Sequence, residues 1–284
     1  MSEKKIIDQG YFEGERALFQ EHDATIKRCV FDNGESPLKH SAHLDIYDTI
    51  FRYKYPLWYA NDIYVEHCTW GEIGRAGVWY TNHMTVKDSI IEAPKNFRRC
   101  DDLTLDHVTF SDAKETVWNC KNVTMKDVTV KGDYFAMNLE HAMIDHLNLI
   151  GNYGFDGAKN IEIHNSTLLT KDAFWNCDNI TIYDSKIIGE YLAWNSKHIH
   201  FVNCIIESLQ GLCYVEDLKM EHCQMFNTTL AFEYSTHIDA TIESEIDSVL
   251  NPSSGIIRSY GIRNLTLDSK QMDINAVKIE TIKK

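Results

Sequence analysis

Apolar residues recur along the chain in blocks of eight, at the first, third, sixth and eighth positions. Val123, Met125, Val128 and Val130 show the pattern; so do Ile180, Ile182, Ser185 and Ile187, with a small residue third in the set. Each half of a block alternates with the period of a strand, and the two halves are out of phase. A bend between the third and sixth positions restores the phase, so that both strands turn their apolar side chains inward. The fifth position supplies it with Asp48, His67, Asp88, His107, Asp127, His146, Asn165, Asp184, Asn203 and His222. The residue before each block is again of this kind: Asp23, His43, Asp62, His83, Asp102, Asn122, His141, Asn160, Asn179, His198, Asp217 and His237. Such residues tolerate the left-handed backbone conformation and bond their own backbone, which marks sharp bends.

Successive blocks start 19 to 21 residues apart, from Ala24 to Leu218. A third apolar segment precedes each, as in Leu57-Trp58, Val78-Trp79, Val117-Trp118, Phe174-Trp175 and Ala193-Trp194. Three short strands per coil at this period predict an all-β fold: a single-stranded right-handed parallel β-helix of about twelve coils. The hand follows the general preference of parallel crossovers. One coil is too thin to bury its apolar side, so stacking must build the core. The expected organisation is a single domain over 1–284. Residues 1–22 form an N-terminal cap, 23–250 the regular coils, and 251–284 an irregular last coil and C-terminal cap after the break at Asn251-Pro-Ser-Ser-Gly255.

Composition narrows the function. The net charge of −14 argues against nucleic acid as a partner, because phosphate contacts need Lys and Arg. No apolar run is long enough to span a bilayer, so no membrane partner is expected. The start Met-Ser-Glu-Lys-Lys lacks the apolar stretch of a secretion signal, and a cytoplasmic location is expected. Cys29, Cys68, Cys204 and Cys223 share the inward sixth position, while Cys100, Cys120 and Cys177 share a second small-residue column; they read as reduced core residues. Cys213 falls outside both columns. The histidines replace Asp and Asn in the bend columns, so turn geometry accounts for them, and neither a metal nor another cofactor is expected.

One column differs from ordinary solvated surface. It carries Trp58, Trp79, Arg98, Trp118, Met137, Asp156, Trp175, Trp194 and Cys213. The apolar residue before each Trp points inward, so alternation turns the Trp outward. Charge gathers just upstream, including Lys171, Asp172 and Glu190. Aromatic platforms beside carboxylates and cations suit an oligosaccharide, whose rings have an apolar face and a polar rim. The candidate substrate-binding residues are Trp58, Trp79, Arg98, Arg99, Trp118, Lys171, Trp175 and Trp194. Arg98 and Arg99 fit a uronate or phosphate. Asp156, Asp172 and Glu190 are the candidate catalytic residues: a one-rung gap between carboxylates resembles the retaining glycosidase separation, a two-rung gap the inverting one. The competing reading is a non-enzymatic surface for another protein or a second copy of the chain, since Trp, Tyr and Arg also anchor interfaces.

The coils resemble the pectin-lyase-like right-handed β-helix superfamily over nearly the whole chain. More narrowly, Gly14-Glu-Arg-Ala-Leu-Phe19, Lys54-Tyr-Pro-Leu-Trp-Tyr59, Lys171-Asp-Ala-Phe-Trp-Asn176 and Gly189-Glu-Tyr-Leu-Ala-Trp-Asn195 look like a bacterial family of unknown function, domain of unknown function 3737. The superfamily implies polysaccharide lyases, hydrolases and esterases. This chain lacks the Asn-Thr-Asp, Asp-Asp and Gly-His-Gly motifs of the hydrolases, and the narrower family assigns no activity.

Overall fold

The bend columns decide the backbone. In the computed structural model, which describes residues 4–283, the first-bend residues from Asp23 to His237 have φ between 50° and 62°. Those of the second bend, from Asp48 to His222, lie between 45° and 55°. Each left-handed residue reverses the facing of the strand that follows it, so the apolar sets on both sides point inward. The strand Asn82–Ile91 passes through such a bend at Asp88 without losing its partner: Met84 pairs with Leu103 before it and Ile91 with Phe110 after it. The bends therefore act as one-residue corners rather than as loops.

All strand pairing among the described residues is parallel and runs from one coil to the next, as in Ala24 with Leu44 and Ile161 with Ile180. The solenoid has about fifteen turns rather than the twelve expected from the repeat. Both ends contribute the difference. Lys5–Asp8 pairs in register with Ala24–Lys27, and Tyr11–Glu13 with Val30–Asp32. Gly255–Thr266 and Val277–Thr281 add rungs beyond the break at Pro252. The third segment of each coil is the least regular. Leu57–Trp58 pairs with Val78–Trp79, and isolated bridges join Trp79 to Arg98 and Arg98 to Trp118. Elsewhere, left-handed residues such as Tyr134, Ala136 and Asn138 turn the chain tightly. No helix among the described residues is long and apolar enough to cross a membrane.

The chain divides into two compact units, one up to Met143 and one from Ile144. In the first, Phe31 stacks between Phe12 and Phe51, with ring centroids 5.1 and 5.3 Å away, and Trp70 follows at 4.8 Å from Phe51. In the second, Phe155 stacks on Phe174 at 5.6 Å.

The small inward columns prove more than filler. The corner leaves a buried backbone N–H without a strand partner, and the small residue of the next coil accepts it. Cys68 N–H donates to Ser89 Oγ at 3.0 Å, Ser166 N–H to Ser185 Oγ at 3.0 Å and Cys177 N–H to Ser196 Oγ at 2.9 Å. Cys, Ser and Thr interchange there because each is small and each can accept, and a buried donor must be satisfied. All eight cysteines are free and buried, Cys213 included. Burial pushes the thiols of Cys68 and Cys213 up to about 12, far from the thiolate that reacts.

Candidate functional site

The sequence-expected site residues fall into two groups, one in each unit. In the first unit, Trp58, Trp79, Arg98 and Trp118 form one column. Trp58 stacks on Trp79 with centroids 4.9 Å apart and planes 7° from parallel. The Arg98 guanidinium lies 5.1 Å from the Trp79 ring and 4.4 Å from the Trp118 ring. Indole N–H groups are used as well: Trp58 donates to Ala76 C=O at 2.5 Å and Trp79 to Lys95 C=O at 2.9 Å. These indoles face one another along the column, and their broad faces are largely spent on that stacking.

Arg98 is tied down further by Glu115, at 2.6 Å, and Glu115 also takes Lys95 at 3.3 Å. Burial raises the Glu115 carboxyl, but the two cations outweigh it and leave its pKa below the ordinary value. Beside this column runs another that the repeat pattern left unread: His40, Tyr59, Tyr80, Arg99, Asn119 and Asn138, all left-handed, with φ between 52° and 61°. Its signal was present in the Tyr or Asn that directly follows each Trp. His40, Tyr59 and Tyr80 stack at 5.1 and 4.8 Å, and Arg99 lies 5.7 Å over Tyr80.

In the second unit the aromatic spacing opens. Trp175 is exposed over 37 % of its surface, whereas Trp58, Trp79, Trp118 and Trp194 are half-buried. Its ring lies 6.2 Å from Tyr153. Trp194 is half-buried, with Tyr191 edge-on at 5.6 Å and Tyr214 stacked at 5.1 Å. Tyr153 N–H bonds Lys171 C=O, Asp172 N–H bonds Glu190 C=O and Tyr191 N–H bonds Leu209 C=O, at 2.9, 2.9 and 3.0 Å. Tyr153, Asp172 and Tyr191 therefore occupy one column on three successive coils, each left-handed.

The charged groups meet around Asp172. Lys171 Nζ lies 3.0 Å from Glu190 Oε2, and that bond raises the Lys171 pKa and keeps the ammonium protonated. Asp172 is half-buried. Burial pushes its carboxyl above the ordinary aspartate value; Lys171 pulls it down, and the carboxylates of Glu190 and Asp156 push it up again. Asp156 itself accepts from the Asn176 amide at 3.3 Å. The structure thus brings Asp156, Lys171, Asp172 and Glu190 into one electrostatic group beside Trp175. Asp172 stands in the Tyr153–Tyr191 column and Glu190 in the neighbouring column one coil on, so the two carboxyls are offset diagonally.

Two sets of potential metal ligands lie elsewhere in the first unit. Glu66, His67 and Asp88 bring their ligand atoms within 4.8 Å of one another, as do Asp106, His107 and Asp127. Lys87 stands between Glu66 and Asp106 in the same register column, and Lys126 follows Asp106. Acid alternates with Lys in one column and His with Asp in the next. Stacked like charges repel, and this alternation avoids them without a metal ion.

A fold of stacked parallel coils with left-handed corners defines the class: a parallel β-helix protein. Within it, the chain belongs to the family of proteins of unknown function DUF3737, whose pattern it matches over residues 5–280. No curated protein matches it in sequence. Among solved structures it is similar to the surface adhesin PfbA of Streptococcus pneumoniae, with 8% identity, a TM-score of 0.53, and coverage of 81% of this chain and 83% of that one. It also aligns with the A-module of the mannuronan C-5 epimerase AlgE4 of Azotobacter vinelandii, at 9% identity and a TM-score of 0.42 over 98% of this chain and 88% of that one. The likeness to PfbA shows the fold alone.

Proposed function

We propose that residues 144–284 carry a saccharide-binding face whose centre is Asp172. The observation behind this reading is the raised Asp172 carboxyl, held between Tyr153 and Tyr191 and set beside the exposed Trp175 ring. An aromatic face takes the apolar side of a pyranose ring, while Lys171, Glu190 and Asn176 reach its hydroxyls. If the bound saccharide is cleaved, Asp172 is the proton donor, because its surroundings favour the protonated form. Glu190, on the next coil and paired with Lys171, is the second carboxyl. Asp156 acts on Asp172 through its charge.

A screen of neutral and acidic oligosaccharides against the intact chain tests the reading. Binding that Trp175→Ala weakens, with turnover that Asp172→Asn lowers by roughly 10²–10⁴-fold, supports it. Binding without turnover leaves a lectin-like protein. No saccharide binding across the screen removes it.

An apolar row adjoining this face supports the interaction reading. Ile150 pairs with Leu169, and Leu169 with Ile188, along one outward register column; Ile150 and Leu169 are exposed, as are Ile205, Leu209 and Phe226. Exposed apolar rows mark contact surfaces. Association of the chain with itself, abolished by Leu169→Lys and leaving saccharide binding intact, would show that the two functions use separable residues.

A further inference from the structure

In the first unit a cleft of about 360 Å³ is lined by Trp79, Tyr80, Arg98, Arg99, Trp118 and Asn119. It lies between two neighbouring side-chain columns over the same three coils. Trp79, Arg98 and Trp118 are joined by successive bridges; Tyr80, Arg99 and Asn119 are the left-handed residues that follow them, with φ of 57°, 53° and 53°.

The hydrogen-bonding capacity of this lining is one-sided. Both indole N–H groups already donate to backbone, Trp79 to Lys95 C=O and Trp118 to Tyr134 C=O. Arg98 gives two of its N–H groups to Glu115, one to its side chain at 2.6 Å and one to its backbone carbonyl at 3.3 Å. Arg99 is exposed, with one face over Tyr80, and has no carboxylate partner among the described residues. The Asn119 side-chain oxygen accepts from the Asn138 amide at 3.2 Å, which leaves the Asn119 amide hydrogens without an acceptor among the described residues. What remains for a ligand is the Arg99 guanidinium, the Asn119 amide, the other N–H groups of Arg98 and the Tyr80 hydroxyl; all but the hydroxyl can only donate. Local charge agrees: Lys95, Arg98 and Arg99 outnumber Glu115 in a chain whose net charge is −14.

We propose that this cleft binds an oxyanion, with Arg99 and the Asn119 amide as donors, the Tyr80 ring beneath the Arg99 guanidinium, and the Trp79–Arg98–Trp118 column as the opposite wall. A planar guanidinium edge beside an amide matches the two oxygens of a carboxylate or of a phosphate. A neutral sugar offers hydroxyl acceptors but no negative charge, and so lacks the charge-assisted pairing. This site is separate from the Asp172 face and stands whether or not that face binds a saccharide.

Titration calorimetry of the intact chain with glucuronate, inorganic phosphate and glucose tests it. Glucuronate or phosphate is expected to bind and glucose is not; whichever oxyanion binds more tightly identifies the source of the group. Arg99→Gln is expected to lower that affinity by roughly tenfold or more, the usual effect of losing a charged hydrogen bond, with an unchanged melting temperature. Asn119→Asp, which places a carboxylate where the donor stood, gives the same loss should Arg99→Gln fold poorly. Absence of oxyanion binding overturns the proposal. So does oxyanion binding that folded Arg99→Gln and Asn119→Asp leave unchanged.

Discussion

The Lys171 ammonium lies 3.0 Å from the Glu190 carboxylate on the next coil, and both act on the Asp172 carboxyl between Tyr153 and Tyr191. One cation thus serves two acids. It neutralises Glu190 directly and only partly offsets what burial does to Asp172.

That arrangement makes Asp172 costly to the fold. A carboxyl whose folded pKa is raised favours folding while it is protonated, and that advantage is lost as pH rises through the folded value. Above the ordinary aspartate value the unfolded chain ionises this group more readily than the folded state does, which lowers stability. Asp172→Asn keeps a residue that tolerates the left-handed corner and removes the charge. It is expected to raise the melting temperature at pH 7, with the gain shrinking toward pH 4. A variant that is more stable and less active would identify a residue kept for its chemistry. A lower melting temperature at pH 7 would show that the carboxylate is structural.

His83, His198 and His222 each face a carboxylate: Asp102 at 2.8 Å, Asp178 at 2.7 Å and Glu243 at 2.7 Å. The carboxylate partner raises each imidazole above its usual value near 6.5. Their stabilisation is therefore complete below that value and is lost as pH rises through the raised one. Replacing all three by Asn preserves the corners. The melting difference between wild type and this variant should be largest near pH 6 and vanish in mild alkali. It should also shrink with salt, since all three pairs are exposed. A difference constant from pH 6 to 9 would mean that the pairs contribute nothing.

Asn179 has φ of 60° and its amide donates to Asn160 at 2.8 Å. Asn179→Val forces a β-branched residue into the left-handed region and is expected to cost about 1–3 kcal/mol. Asn179→Gly should recover most of it. Denaturant unfolding of the two variants separates backbone strain from the lost amide bond.

The buried cysteines should label slowly in the native protein and fast after denaturation. Cys177 is buried and its thiol is pushed far up by that burial. Rapid native labelling of Cys177 would contradict the packing of its column.

Much of the fold was legible because its corners need particular residues. Asp, Asn and His at two places in every coil announced the left-handed positions, and those corners have positive φ from Asp23 to His237. The ends were not legible. Lys5–Asp8 and Val277–Thr281 pair in register without the corner residues that mark the middle coils. The Trp column was recognised but not its packing: spacing places Trp58, Trp79 and Trp118 in line, whereas only geometry shows the first two face to face and Arg98 between Trp79 and Trp118. The third corner column of Tyr59, Tyr80, Arg99 and Asn119 went unread because Tyr and Arg are not usual left-handed residues. Asp172 was legible as an acid, but its raised carboxyl depends on burial that no spacing reveals.

Hydroxyl-radical footprinting with and without a bound oligosaccharide tests the central claim most directly, because it reports where the ligand lies. The account predicts protection of Trp175, with Tyr153 and Tyr191 protected beside it, and no change at Trp58, whose face is already covered by Trp79. A saccharide that binds while Trp175, Tyr153 and Tyr191 oxidise as fast as in the free protein would place the site elsewhere and contradict the assignment to Asp172.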